Sequence, residues 1–279
     1  MIDRMVRALL LLVLFVLPSP AAAQPFVPAP GAELLHRPLD QILDVNVRDG
    51  LVYYRALKSD RGRLDRYIAS LNVTPAVYQG WSKTQQMAFW VNAYNAFVLA
   101  TVINHYPLHG TIKQIPGAFD KTPWRAAGRT VTLDQIEKTI LPEFKDPRLY
   151  FALGRGAIGS GRLRSEAYTA DRLDKQLTEI RTDFVNNRYM YRLDRVTNTL
   201  SVTPILSWRE ADFVAAYDKP DDPALKTMQQ RSPIERAIIA FVWPHLLPSE
   251  RDFIQKNEFK VAFLEMDWRL NDLTGGRVE

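Results

Sequence analysis

The sequence predicts an α+β fold: a single compact domain with a central buried helix and a small, mostly antiparallel sheet. Three observations predict it. The stretch QQMAFWVNAYNAFVLATVI, Gln85 to Ile103, is apolar almost all the way round, and a helix of that kind belongs at the centre of a domain. Strand candidates and helical patterns follow one another without the regular alternation of a βα repeat. A chain of 279 residues with 47% apolar and 24% charged side chains supplies a sizeable core, and no break in composition divides it.

Taken in order, the first element is not part of that domain. Arg4 and Arg7 precede an unbroken apolar run from Ala8 to Leu17; Pro18 and Pro20 end it, and Ala21-Ala22-Ala23 follows. This is the pattern of a secretory signal peptide over residues 1–23, cleaved near Ala23. The run is too short to span a bilayer as a helix, so no transmembrane helix is expected after cleavage. The protein is then exported, to a periplasmic or extracellular location. Residues 24–38 open with the proline-rich QPFVPAPG and read as a linker. Residues 39–279 form the globular domain.

Within the domain, Leu39–Val47 reads as a short helix, and Gly50 turns the chain into the strand candidate LVYYRAL. Asp60–Leu71 places Leu64, Ile68 and Leu71 on one face of a helix. Thr74-Pro75 starts another short helix. Ser82 with Gln85 makes a capping box for the central helix, which Pro107 stops. Gly110–Arg129 is loop-like. RTVTLDQIEKTIL begins as a strand, and Thr132 with Gln135 then caps a helix. RLYFAL, Arg148 to Leu153, is a strand candidate. A helix from Thr169 buries Leu173, Leu177, Ile180 and Phe184. Two strands flank a turn at Thr197-Asn198. Ser232-Pro233 opens a helix that runs to Trp243, and KVAFLEMDWRLND is a strand leading into a polar turn.

Charge and cysteine usage narrow the chemistry. The net charge is +5, and the basic residues are dispersed, whereas nucleic-acid binding concentrates them in a stripe. No nucleic-acid partner is expected, and an anionic envelope component is the partner class that the charge leaves open. There is no cysteine, so thiolate catalysis, thiolate metal sites and disulfides are all absent. No His-x-x-His spacing occurs either, and neither a metal nor a cofactor is expected.

The stretch between the RLYFAL strand candidate and the next helix is the candidate site. Gly154, Gly156 and Gly159 spell G-x-G-x-x-G. A dinucleotide fingerprint needs a helix to start at once, and here about ten residues intervene. Ser160 lies between two glycines, but Ile158 and Arg162 occupy the positions where a nucleophile elbow needs glycine. A serine nucleophile would also need a base, and His105 is the best of the four histidines. The other reading of His105 is a cap on the C-terminus of the central helix. Arg155, Arg162 and Arg164 surround glycine backbone, either as an anion site or as a solvated basic loop. Asn92 and Asn95 lie three apart on one face of an apolar helix. A buried amide must be hydrogen-bonded, here either to loop backbone or to a ligand or catalytic group.

The segments AFWVNAYNAFVLATVINHYP, TVTLDQIEKTIL, DPRLYFAL with LRSEAYTADRLDKQL, NTLSV with LSWREADF, and FLEMDWRLND resemble, in that order, the domain of unknown function 547 family. The resemblance runs from about Asp49 to Asp272 and implies a shared fold without an established activity. It marks Asn92, Tyr94, Asn95, His105, Asp146, Arg148, Glu166 and Tyr168 as motif scaffold. It also implies a histidine at Tyr150 and cysteines at Arg155 and Ser160, followed by prolines at Gly161 and Arg162. This chain lacks all of these. The reading that follows is an exported binding or structural module of the cell envelope, derived from a thiol-dependent ancestor. Two alternatives stand beside it: a hydrolase or transferase using Ser160 with His105, and an anion-binding module using Arg155, Arg162 and Arg164.

Overall fold

The computed structural model describes residues 31–275. The signal-peptide reading and residues 24–30 of the expected linker lie outside them. The chain runs α1 (Ala32–Asn46), β1 (Val47–Arg48), β2 (Leu51–Val52), α2 (Tyr54–Ser59), α3 (Arg61–Ser70), α4 (Pro75–Gln79) and α5 (Lys83–His105). Then come β3 (Trp124–Ala126), β4 (Arg129–Val131), α6 (Leu133–Gln135), α7 (Leu173–Asn186), β5 (Tyr191–Asp194) and β6 (Thr199–Val202). The last elements are α8 (Ile205–Trp208), α9 (Glu210–Tyr217), α10 (Pro233–Val242), α11 (Pro248–Lys256) and β7 (Lys260–Phe263).

The α+β architecture with a buried central helix is as expected. In α5, Ser82 and Gln85 form the reciprocal capping box, and every residue from Met87 to Ile103 is buried. The helix is long and apolar enough to cross a membrane, but 94% of its apolar window is buried inside the protein. Helices α1, α2 and α3 pack on it from one side. The strands form two hairpins, β1-β2 and β3-β4, and one three-stranded sheet in the order β5-β6-β7. Among the described residues, every pairing between these strands is antiparallel except β6-β7.

Three local expectations are corrected. The linker does not extend to residue 38, because α1 begins at Ala32 and carries Pro38 inside it. The apolar spacing of Leu35, Leu39, Ile42 and Leu43, all packed into the core, outweighs one lost backbone donor at an exposed proline. In LVYYRAL only Leu51 and Val52 are strand. They pair with Val47 and Arg48 across an Asp49-Gly50 turn in which both residues have positive φ, the backbone a two-residue hairpin requires. The chain turns helical at once after Tyr53.

RLYFAL is not a strand. Pro147–Phe151 is a 3-10 helix, started by Asp146, whose carboxylate accepts the Arg148 N–H, with Pro147 supplying a helical φ at the first position. This short helix puts Phe151 at the centre of a second aromatic core, with ring centroids 5.1 Å from Phe184, 5.6 Å from Phe213 and 5.4 Å from Phe241. Helices α7, α9 and α10 close around it. Helix α7 begins at Leu173 rather than Thr169, and the four apolar residues expected to be buried on it are buried.

His36 on α1 is 1% exposed. Its Nδ1 is paired with the Tyr67 hydroxyl at 2.8 Å, and its Nε2 has no partner. Burial pushes its pKa down to about 3 from the ordinary 6.5. The folded protein therefore keeps His36 neutral while the unfolded chain takes up a proton below pH 6.5. The stability from this difference is complete above pH 6.5 and declines as pH falls toward 3. Urea titrations at pH 6 and pH 5, above the carboxylate range, should show the parent losing about 1 kcal/mol more than His36→Phe over that unit.

Candidate functional site

Residues 151–157 are all buried, as are Gly159, Ser160 and Gly161. Loops normally run over the surface, since a buried one must find partners for its backbone N–H and C=O groups. Here side chains of α5 and backbone of the C-terminal segment supply such partners. Asn95 Nδ2 donates to the Ala152 carbonyl at 2.9 Å, and its Oδ1 accepts the Gly154 N–H at 2.9 Å. One turn earlier on α5, Asn92 Nδ2 donates to the Tyr168 carbonyl at 2.8 Å, and its Oδ1 accepts the Tyr168 N–H at 2.9 Å. Two amides on one face of the central helix thus hold both ends of the loop. Of the two readings open for them in sequence, loop backbone is the one realised.

The C-terminal segment holds the middle. Ile158 N–H donates to the Arg269 carbonyl and Gly159 N–H to the Asp267 carbonyl, both at 2.9 Å, and Ala157 bridges to Leu270. This docking explains two of the glycines. A Cβ on Gly159 would stand 2.6 Å from the Asp267 nitrogen, and one on Gly161 would stand 1.8 Å from the Phe151 carbonyl oxygen. The glycines permit close backbone approach, and the amides of Gly154, Ile158 and Gly159 are already occupied by protein acceptors.

Ser160 is 1% exposed, and its Oγ is bonded to the carbonyls of Gly154 and Ala157. No histidine is among its partners. His105 Nδ1 lies 2.9 Å from the Thr101 carbonyl, so it caps its own helix. The Ser160–His105 pair of the hydrolase reading is not formed, because each side chain is committed to neighbouring backbone.

The three arginines do not converge either. Arg155, at φ +37°, is 1% exposed and faces inward. Its Nη2 and Nε meet Glu137 at 2.6 and 3.2 Å, and its Nη1 donates to the Tyr150 and Leu153 carbonyls. Glu137 also accepts the Tyr94 hydroxyl at 3.1 Å. Burial works against the Arg155 charge, but the Glu137 carboxylate outweighs it and holds the guanidinium above the ordinary arginine range. Glu137 sits in a π-helical turn, Ile136–Ile140, that continues α6. Arg164 pairs with Glu166 at 2.6 Å and Glu179 at 2.7 Å. Arg162 pairs with Asp49 at 2.9 Å and Asp183 at 3.5 Å. Arg155, Arg162 and Arg164, offered in sequence as an anion site or a basic loop, occupy three separate ion-paired positions.

The other motif residues are structural in the same sense. Asp146 binds Arg148 in a bidentate pair, and Arg148 reaches Asp174 on α7 at 2.9 Å. Hydrogen bonding to Asp146 raises the Arg148 pKa despite burial. Tyr150 donates to Asp212 and accepts from Arg209, both at 2.8 Å. Glu166 collects Arg164, Arg172 and Gln176. Burial works against its charge, but these partners prevail and keep its carboxyl below the ordinary range.

Beside the loop lies a cleft with two lobes. One lobe, about 510 Å³, is walled by Phe151, Ile180, Phe184 and Met190, with Ala157, Ser160 and Gly161 on one side. The other, about 640 Å³, is walled by charged side chains of α1, the 162–172 segment and α7. Asp49, Gly50, Arg162 and Asp183 line both. Both volumes lie in the range of small-molecule sites. Asp49, Asp183, Ile180 and Met190 carried no functional signal in sequence, since the hairpin, α7 and the segment after it meet only in the folded chain. Glu137 lay inside a quoted motif, but nothing local distinguishes it from a surface glutamate.

The sequence profile described as "Protein of unknown function, DUF547" matches residues 78–185. That segment belongs to the DUF547 family. It spans α4 to α7 and contains both asparagines, the Glu137–Arg155 pair and the whole buried loop. The hairpin residues Asp49 and Gly50, together with Met190 and Asn271, complete the cleft from outside the DUF547 segment. No curated protein and no solved structure matches the chain.

Two outcomes test this account. Asn95→Ala leaves a buried carbonyl and a buried N–H unanswered, and should lower unfolding free energy by about 2–6 kcal/mol at about 1–3 for each group. Arg155→Met and Glu137→Met should each cost about 3–5 kcal/mol by stranding a buried charge. The double variant should cost less than either single change, as read by denaturant titration.

Proposed function

We propose that the protein is an exported, non-catalytic binding module of the cell envelope whose ligand enters the two-lobed cleft beside the DUF547 loop. The observation that carries this reading is the state of Ser160. It lies in the wall of a cavity large enough for a ligand, yet its hydroxyl is bonded to the carbonyls of Gly154 and Ala157. A serine nucleophile needs an adjacent base to take its proton, and here the proton is directed at backbone oxygens. The cavity is kept without the pair that would give it chemistry. The resemblance adds support, because its implied cysteine position at Ser160 holds no thiol in this chain. Export is supported by Arg4 and Arg7, the apolar run to Leu17 and the alanines up to Ala23.

Incubation with a fluorophosphonate probe should leave Ser160 unlabelled, and the amino terminus of protein recovered after secretion should be Gln24. Labelling that Ser160→Ala abolishes would overturn the non-catalytic reading. Retention of residues 1–23 in the recovered protein would overturn export.

A further inference from the structure

We infer that the cleft takes a single cationic amphiphile, an amine or guanidinium head joined to an apolar body, with the head in the charged lobe and the body in the lobe beside Ser160. The inference rests on the binding reading above and names the ligand class of that same site.

The charge of the second lobe carries the argument. Its walls present Asp40, Asp44, Asp49, Glu166, Glu179 and Asp183. Against these stand Arg162, Arg164 and Arg172. Each arginine is already paired with carboxylates of the same wall. The lobe therefore keeps an excess of acid, although the chain as a whole carries +5. Asp44 is exposed, and Arg48, on β1 just after α1, directs its guanidinium to the Asp44 and Val47 backbone carbonyls. A cleft with one sign of charge concentrates ligands of the other. The acids stand on α1, the β1-β2 turn, the 162–172 segment and α7, so an organic cation in the lobe meets them at several points.

The apolar half follows from continuity. Arg162, held between Asp49 on the hairpin and Asp183 on α7, is the partition between the lobes. Beyond it the apolar part of the wall is Phe151, Ile180, Phe184 and Met190, with Arg188 and Tyr189 also lining the lobe. Both halves are needed to distinguish ligands: the acid lobe rejects anions, and the apolar lobe gives length its value.

The test uses the full chain and three probes, n-decylamine, decanoate and n-butylamine, each below its micelle concentration. Binding is read by calorimetry and by the 13C-methyl signal of Met190, which reports the apolar lobe directly. Decylamine should bind one to one and move the Met190 signal, with butylamine weaker and decanoate unbound. In Asp44→Asn/Asp49→Asn the decylamine affinity should fall by about fivefold. Asparagine is well tolerated at the positive φ of position 49, and circular dichroism checks that the fold is retained. Decanoate binding as tightly as decylamine, unchanged affinity in the double variant, or no saturable binding would each overturn the inference. Preference for decanoate would still leave a binding module, whereas labelling of Ser160 would remove that reading itself.

Discussion

A buried loop can persist only if each polar group of its backbone has a partner, and in this protein Asn92 and Asn95 meet that constraint at both ends of residues 152–168. The amide side chain is neutral and both donates and accepts in the plane of a peptide-like group, so it can pair with backbone as another peptide would. Two of them one turn apart on α5 hold a loop that no strand accompanies. Much else depends on this. The position of the loop sets the place of Phe151 in the second aromatic core. It also presents the surface on which residues 267–271 dock.

The same constraint accounts for side chains that look chemical. Ser160 and Arg155 are polar residues in a segment rich in glycine, and such segments often build active sites. Both are spent on buried backbone carbonyl groups. Arg155 needs Glu137 because a lone guanidinium could not be held in this interior. The pair is better understood as the consequence of burying the loop than as a source of stability, since a buried ion pair recovers little beyond its own desolvation.

What remains open is the cleft between the loop, the Asp49-Gly50 hairpin and α7. Its walls come from segments far apart in the chain, and its character changes from apolar to acidic across Arg162. The charge on the cleft is opposite to the charge on the chain. Net charge is a sum over the whole surface, whereas a ligand meets only the groups that one concavity gathers.

Legibility in the sequence followed the range of the interaction. The starts of α5, α6 and α10 were legible because Ser82 with Gln85, Thr132 with Gln135 and Ser232 with Pro233 act within three residues. The segment from Arg148 to Leu153 was misread, since a short apolar run fits a strand and a 3-10 helix alike, and the decisive Asp146-Pro147 start lies just outside it. Asn92 and Asn95 showed in sequence that buried amides must be bonded, though not to what. By itself the sequence determined the fold class, the central helix and its capped start, because periodicity and capping are properties of neighbouring residues. Tertiary structure alone decided that Arg155 meets Glu137, that Ser160 and His105 stay apart, and that the cleft gathers acid. These outcomes depend on which distant segments pack together, and no local spacing encodes that.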